Sequence, residues 1–345
     1  MRALALDAIG GLEHLAVRDL PEPTLQRGDD VRLRVRMAAF NHLDLWVAGG
    51  LPGLEVQLPH IVGSDAAGVV ESVGPAVRGY APGDRVMINP GLSCGTCAAC
   101  VDGDEPLCRS FRLLGEHTAG AAAEFVVVPA ANLAKVPDEM PWHQAAAFSL
   151  VTLTAWRMLT HRAVLRPGET VLIWGIGGGV AQALLRIAKL VGAHTIVTSG
   201  SAVKLAAARK LGADAVIDHA ATDVVAAVRE LTGGRGADVV ADSVGQATWE
   251  RSLRALRRGG RLVVCGATTG PSVSLDIRRL FWNQWSLLGS TMGSRREYRE
   301  VVRLAARGLL WPVVDQVVPL DGAAEALRRL SSGEQFGKLV IEVAA

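Results

Sequence analysis

Residues 171–181 read Val171-Leu172-Ile173-Trp174-Gly175-Ile176-Gly177-Gly178-Gly179-Val180-Ala181, and the helical run from Gln182 to Val191 follows. An apolar run of strand length is thus joined to a helix by a glycine-rich turn. Glycines allow a tight turn and let backbone N–H groups approach a pyrophosphate, whose charge then lies at the helix N-terminus. The segment predicts a dinucleotide site, with a plain strand–helix turn as the alternative. The predicted contacts are Gly175, Gly177, Gly178, Gly179 and Val180.

From about residue 155 onward, apolar runs of strand length alternate with helix-length amphipathic segments. The predicted strands are residues 171–174, 194–198, 215–217, 238–241 and 261–264. Helical patterns such as 203–211 and 223–231 fall between them. This alternation predicts an α/β fold with a doubly wound parallel sheet, which we assign to residues 155–290.

The first part of the chain has a different pattern. It is rich in Pro, Gly and short runs such as residues 31–36, where apolar and charged side chains alternate with period two. That period is typical of half-buried strands, so residues 1–154 are expected to form a mostly β domain. The tail, residues 291–345, ends in a further apolar run at 338–343 and is expected to return to this domain.

Four cysteines follow the spacing C-x2-C-x2-C-x7-C in a glycine-containing loop, about residues 91–110, which we call the Cys lobe. They are Cys94, Cys97, Cys100 and Cys108. Four thiolates close a tetrahedron on Zn²⁺ and leave no position open for chemistry, so one structural zinc per chain is predicted. Disulfides are less expected because the N-terminus has no signal-peptide core. An iron–sulfur cluster is also less expected, because the ferredoxin pattern that begins C-x2-C-x2-C has a shorter gap before its fourth Cys and a Pro after it.

The end of the second predicted strand decides which nicotinamide cofactor is bound. An acidic residue there would accept the ribose 2′-OH of NAD and repel a 2′-phosphate, but residues 198–204 contain no acid. Ser199, Ser201 and Lys204 offer hydroxyls and a cation instead, which favours NADPH. The alternative is that the serines cap a helix and Lys204 is a solvated helix residue.

Composition limits the classes of partner. The chain of 345 residues is long enough for two domains, and its 36 Lys and Arg balance 34 Asp and Glu. This balance gives no excess of positive charge that would favour binding to nucleic acid or an anionic membrane. No apolar run reaches the ~20 residues of a membrane-spanning helix. We therefore expect a soluble, cytoplasmic protein whose partners are small molecules.

These motifs together resemble the medium-chain dehydrogenase/reductase superfamily, in its zinc-containing alcohol dehydrogenase-like and quinone oxidoreductase-like branches. The resemblance covers essentially the whole chain. Besides the Cys lobe and the glycine-rich turn, the matching segments are residues 63–70 (GSDAAGVV), 82–86 (PGDRV), 260–266 (GRLVVCG) and 336–338 (FGK). The resemblance implies a GroES-like catalytic domain beside the Rossmann domain.

The chain departs from the alcohol dehydrogenase pattern at the catalytic metal. The resemblance implies zinc ligands of the type Cys, His and Cys at three positions, where this chain has Asn41, Ser64 and Leu150. An amide, a hydroxyl and an alkyl group cannot hold Zn²⁺ as thiolate and imidazole do. A site rebuilt around Asp44, Asp65 or nearby histidines is the alternative.

Without a Lewis acid, an unactivated alcohol is difficult to oxidise. Hydride addition to an enone, an enoyl thioester or a quinone is easier, because it forms an oxyanion that hydrogen bonds alone can stabilise. The quinone reductase branch also carries Asn at the position of Asn41, which we expect to position the ribose or the substrate carbonyl. His42 is expected to meet the pyrophosphate. The candidate proton donors are solvent, Asp44, Asp65 and His117.

Three further residues, Gly266, Thr268 and Ser290, lie in segments that resemble those bordering the nicotinamide, with ordinary turns as the alternative. Phe281, Trp282 and Trp285 could line an apolar pocket or form the interface of a homodimer or homotetramer. The favoured function is an NADPH-dependent reductase of apolar conjugated carbonyls or quinones. The alternatives are a zinc-type alcohol dehydrogenase and a non-enzymatic NADPH-binding sensor.

Overall fold

The computed structural model describes residues 1–344. Its strands are β1 (Arg2–Leu6), β2 (Leu15–Asp19), β3 (Asp30–Ala39), β4 (His60–Ile61), β5 (Asp65–Val73), β6 (Arg85–Ile88), β7 (Gly91–Leu92), β8 (Arg112–Leu113), β9 (Phe125–Pro129), β10 (Leu133–Lys135), β11 (Thr170–Ile173), β12 (His194–Ser199), β13 (Ala215–Asp218), β14 (Ala237–Asp242), β15 (Leu256–Val264), β16 (Ser286–Gly289), β17 (Val314–Pro319) and β18 (Lys338–Glu342). Its α-helices are α1 (His42–Gly49), α2 (Ala98–Val101), α3 (Trp142–Ala146), α4 (Ser149–Trp156), α5 (Gly179–Val191), α6 (Ala202–Lys210), α7 (Val224–Leu231), α8 (Trp249–Ala255), α9 (Ile277–Asn283), α10 (Arg295–Ala305) and α11 (Ala323–Ser332).

The chain divides into two compact units. The first unit contains Met1–Leu153 and the residues from Gly293 onward, and the second unit is Thr154–Met292. The division falls within α4, which continues as a π-helical segment over Arg157–Arg162.

The second unit is built on a parallel sheet with the strand order β13-β12-β11-β14-β15-β16. The strand order reverses between β11 and β14. The carboxyl ends of these two strands therefore form the switch point at which doubly wound folds bind ligands. The residues of β11 are buried and mostly β-branched, as in a strand covered on both faces. The predicted doubly wound parallel sheet is confirmed, and predicted strand 261–264 is the C-terminal part of the longer β15.

The first unit is mostly β, as predicted. Its largest sheet has the order β10-β6-β5-β3-β18-β17, with β9 also paired to β3. The apolar side chains of this sheet and of α11 form one buried core. A smaller antiparallel sheet has the order β2-β1-β4, and β7 and β8 form a short ribbon beside the Cys lobe.

The register of this large sheet brings residues distant in sequence to one place. Strand β3 pairs with β5 so that Ala39 lies opposite Asp65, and it pairs with β18 so that Ala39 lies opposite Val340. Both pairings are antiparallel, so Lys338 comes beside the residues that follow β3. Asn41 and α1 are the next residues of the chain at that point.

Candidate functional site

The glycine-rich turn joins β11 to α5 at the switch point of the second unit. Gly175 has φ 70°, a left-handed conformation that favours glycine. Gly178 is the N-cap of α5 and has no side chain to accept from the first-turn N–H groups, which are therefore available to an anion. The turn fits the pyrophosphate of a dinucleotide, and contact with it by Gly175, Gly177, Gly178, Gly179 and Val180 stays a prediction.

A buried hydrogen-bond network fixes the residues around this turn. The Trp174 indole N–H donates to Ser252 Oγ (2.8 Å), and the Ser252 hydroxyl donates to Asp242 Oδ2 (2.8 Å). Asp242 Oδ1 in turn accepts from the backbone N–H groups of Val244 and Gly245. The carboxyl ends of β11 and β14 are thereby held together, a role the sequence analysis did not assign.

The end of β12 has the capping arrangement that was the alternative to a phosphate contact. Ser201 is the N-cap of α6 and accepts from the Lys204 N–H (3.4 Å), while Ser199 Oγ accepts from the Ser201 N–H (3.1 Å). Each of these hydroxyls uses one lone pair in this way and keeps its other hydrogen-bonding capacity. A ligand contact by the same residues stays a prediction.

Two residues that sequence reasoning missed lie beside this segment. His219 follows β13, with Nδ1 3.4 Å from Thr198 Oγ1 and its ring next to Gly200. The Arg251 guanidinium lies 5.0 Å from the centre of the Trp174 ring. Burial lowers the pKa of His219, and the charge of Arg251 lowers it further. The signal for His219 in the sequence is its position directly after β13, whereas Arg251 lies inside α8 and has no such signal.

The residues expected to border the nicotinamide lie beyond the carboxyl ends of β15 and β16. Gly266 and Thr268 follow β15, and Thr268 is exposed. Ser290 is 9% exposed, and its Oγ is buried without a hydrogen-bond partner in the described residues. Ser290 is thus free to bond a ligand, while its predicted contact is untested.

The Cys lobe holds its four thiols in a metal-binding arrangement. Their Sγ atoms all lie within 4.8 Å of one another, and the Cys97–Cys100 and Cys94–Cys108 separations are both 3.6 Å. A tetrahedral zinc with bonds of ~2.3 Å requires sulfurs about 3.8 Å apart. Backbone N–H groups of Thr96 and Cys97 lower the pKa of Cys94 to about 6, which favours the thiolate that a metal needs. The donor set fits a structural zinc.

The Cys lobe is attached to the C-terminal part of the first unit. Glu105 lies in a short 3-10 turn (Glu105–Leu107) just before Cys108, and its Oε2 accepts from the Arg295 N–H at the start of α10 (3.1 Å). On the same helix, the buried Tyr298 hydroxyl lies 2.8 Å from Ser149 Oγ. Tyr298 was not among the residues predicted from the sequence.

Asn41, Asp65 and Lys338 form a buried group that we call the lysine cluster. Lys338 Nζ donates to Asn41 Oδ1 (2.5 Å) and to Asp65 Oδ2 (3.0 Å), and Asn41 Nδ2 donates to the same Asp65 oxygen (3.0 Å). The other oxygen, Asp65 Oδ1, accepts from the Leu150 N–H (2.8 Å). The side chains of Lys338 and Asp65 are 3% and 0% exposed, so this ion pair is buried.

Asp44 orders the loop around the lysine cluster. Its Oδ2 accepts from the Asn41 N–H (2.7 Å) and its Oδ1 from the Gly63 N–H (2.9 Å). Gly63 has φ 94°, and a Cβ there would lie 2.9 Å from the Ala122 nitrogen, so only glycine fits. Burial raises the pKa of Asp44 to about 6 against the opposing effect of these two hydrogen bonds. Burial, and then the charge of Lys338, lowers the pKa of nearby His42, favouring the neutral ring.

A catalytic zinc does not fit the residues at this place. The Asn41 amide is bonded to Asp65 and Lys338, Ser64 offers only a hydroxyl, and Leu150 has no donor atom. A buried ammonium group also lies within hydrogen-bond distance of Asn41 and Asp65, where it would repel a second cation. Among residues 1–344, the Cys lobe is the only group of three or more His, Cys, Asp or Glu residues arranged to hold a metal. Asp44 and Asp65 therefore do not rebuild a zinc site.

His117 is held by local contacts. Its Nδ1 accepts from the Leu113 N–H (3.2 Å) and lies 3.6 Å from the Glu116 carboxylate. His60, in contrast, is buried and its Nε2 lies 3.0 Å from the Gly115 carbonyl oxygen. In the described part of the chain, no hydrogen bond or ion pair connects His117 with the lysine cluster, so its catalytic role remains only a prediction.

Comparison with known proteins places the chain in a family. Residues 27–138 match the alcohol dehydrogenase GroES-like domain, and residues 179–307 match the zinc-binding dehydrogenase domain. An alcohol dehydrogenase from Geobacillus stearothermophilus is 31% identical over 331 residues, which is 95% of this chain and 96% of that protein. A crotonyl-CoA reductase from Streptomyces avermitilis is 31% identical over 93% of this chain and 80% of its own length.

Among solved structures, an NAD-dependent alcohol dehydrogenase superposes with a TM-score of 0.96 at 46% identity, covering 100% of both chains. The chain therefore belongs to the zinc-type medium-chain dehydrogenase/reductase superfamily and is an oxidoreductase with a GroES-like and a Rossmann-like domain. Within residues 1–344, no helix is both long enough and apolar enough to span a membrane.

Proposed function

We propose that this protein is an NADPH-dependent reductase that transfers hydride to an activated acceptor, which is an α,β-unsaturated carbonyl, an enoyl thioester or a quinone. One zinc per chain would be structural, and none would be catalytic. The lysine cluster carries this proposal, because a buried Lys–Asp ion pair lies beside Asn41, one of the three positions at which the resemblance implies a ligand of a catalytic zinc. Similarity to a crotonyl-CoA reductase supports the class of acceptor.

The choice of NADPH rests on charge at the end of β12. Residues 198–204 contain no carboxylate to repel a 2′-phosphate, and Lys204 lies in the first turn of the following helix. Arg251 adds a second cation, which is close enough to His219 to lower the pKa of its ring. A 2′-phosphate would therefore meet positive charge and hydroxyls, whereas the ribose of NAD would find no acidic acceptor.

The proposed mechanism uses hydrogen bonds in place of a metal. NADPH, when bound, supplies the hydride. The first turn of α5 would hold the pyrophosphate. The lysine cluster and its neighbours stabilise the charge that develops on the acceptor oxygen. The proton that completes the reduction would come from solvent or from Asp44, whose pKa is raised to about 6 by burial.

Alcohol oxidation with NAD is the second candidate, because several relatives are named NAD-dependent alcohol dehydrogenases. The experiment that separates the two measures zinc per chain and cofactor consumption in the same preparation. We expect about one zinc, and faster oxidation of NADPH with 2-cyclohexenone or a quinone than reduction of either cofactor with cyclohexanol. Two zinc ions per chain together with alcohol oxidation would support the second candidate instead.

We also propose a homodimer or homotetramer formed at the edge of the parallel sheet. β16 is the terminal strand in the order given above, and α9 beside it exposes Phe281 and Trp282 at 62% and 69%. A second copy of this chain would cover both the free strand edge and these aromatic side chains. Light scattering should give at least twice the chain mass, and Trp282→Glu should reduce it. A monomeric parent protein would contradict the proposal.

A further inference from the structure

The lysine cluster has unused hydrogen-bond donors. Lys has three N–H donors, and in the described part of the chain Lys338 uses two of them, on Asn41 and Asp65. The carboxamide of Asn41 has two N–H donors and uses one, on Asp65. Asp65 already accepts three hydrogen bonds, and each Asp44 oxygen accepts a backbone N–H. The cluster is therefore richer in free donors than in free acceptors.

Ser64 adds a donor at the same place. Its side chain is 0% exposed, and its Oγ has no hydrogen-bond partner in the described residues. Both chain neighbours are hydrogen-bonded into this region, since Gly63 donates to Asp44 and Asp65 binds Lys338. Ser64 stands between these two residues in the chain, directly before β5, and its hydroxyl is buried in this part of the first unit. An unpaired buried hydroxyl is costly, so the Ser64 hydroxyl has its hydrogen-bonding capacity available for a ligand.

A site with free hydrogen-bond donors discriminates between a carbonyl oxygen and an alcohol oxygen. A carbonyl oxygen only accepts hydrogen bonds, and it accepts more strongly as negative charge develops on it. An alcohol must instead give up its proton to an acceptor, and the cluster's carboxylate oxygens already serve other donors. The hydrogen-bond inventory thus favours a carbonyl compound over an alcohol.

We propose that the Ser64 hydroxyl and the remaining N–H of Lys338 bind the carbonyl oxygen of the substrate and stabilise its developing charge. This inference rests on the function proposed above. Hydride from the reduced nicotinamide forms the new bond at the β-carbon, the C=C electron pair moves toward the carbonyl carbon, and the C=O pair moves to oxygen. The α-carbon then takes a proton from solvent, so the acceptor is reduced by two electrons and the nicotinamide is oxidised.

Ser64→Ala tests this role because it separates activity from stability. Loss of one oxyanion-stabilising donor should lower kcat for 2-cyclohexenone about 100-fold. The thermal midpoint should stay the same or rise, because Ser64 Oγ has no partner to lose. Thr118→Val is the matched control, since Thr118 Oγ1 is another buried hydroxyl without a partner in the described residues of the first unit. That control should leave both kcat and the midpoint unchanged.

A second readout reports the hydrogen bond itself. Cyclohexanone labelled with ¹³C at the carbonyl, bound with oxidised cofactor, should show a C=O stretch at lower frequency than in water, and the shift should shrink in Ser64→Ala. A parent enzyme that reduces the enone while Ser64→Ala keeps its kcat within twofold and its carbonyl band unchanged would overturn the inference. A parent enzyme that reduces no activated acceptor would instead reject the proposed function.

Discussion

Lys338→Met is expected to lower the free energy of unfolding by about 3–5 kcal/mol, the cost of breaking a buried ion pair by removing one partner. Asp65 is 0% exposed, and Met would leave its carboxylate without a counter-charge in an apolar interior. The loss includes the donor to Asn41 Oδ1, so the start of α1 should loosen as well. Urea unfolding of the parent and variant at pH 7 measures the difference.

Two controls give this result its meaning. Lys135→Met removes an exposed lysine that is paired with Asp84 at 3.1 Å, and should cost less than about 1 kcal/mol. The double variant Lys338→Met/Asp65→Leu removes both charges and should recover much of the lost stability. If Lys338→Met cost no more than Lys135→Met, the lysine cluster would not be a stabilising element of the first unit.

Cys108→Ser is expected to reduce bound zinc from about one per chain to near zero. Cys108 is the most buried of the four thiols, and a hydroxyl does not replace a thiolate as a zinc ligand. Because structural zinc and the fold of its loop depend on each other, the Cys lobe should lose its order and become sensitive to proteases. Elemental analysis and limited proteolysis measure the two effects.

Cys265→Ser is the matched control, since Cys265 lies outside the Cys lobe. It should keep one zinc per chain and the proteolytic pattern of the parent. Retention of a full equivalent of zinc by Cys108→Ser would show that the metal is bound elsewhere. The expected loss of order would extend to α10, because Glu105 of the Cys lobe accepts from the Arg295 N–H.

Local patterns predicted the elements that depend on neighbours in sequence. The strand–turn–helix at 171–191 and the four-cysteine spacing are of this kind, since each is complete within about twenty residues. The lysine cluster is not, because Lys338 lies 297 residues from Asn41 and 273 from Asp65. Only the register of β3 with β5 and β18 brings them together, and that register cannot be read from any one segment.

The same limit explains the other residues that sequence reasoning missed. Tyr298 reaches Ser149 through the packing of α10, and Arg251 reaches Trp174 through the packing of α8. Helix packing of this kind depends on side chains from several elements at once. Ser201 shows a different difficulty, because the residue type that caps a helix is also the type that binds a phosphate.

Strand β18 lies between β3 and β17 and is the last strand of the described chain. On the ribosome, the second unit is therefore complete before Lys338 has been made. Until then Asp65 lacks its cation and β3 has an unpaired edge, so the first unit cannot reach its final state. Its folding must follow synthesis of the C-terminal segment, and a chain that ends before β18 leaves Asp65 without the ammonium group that balances its charge.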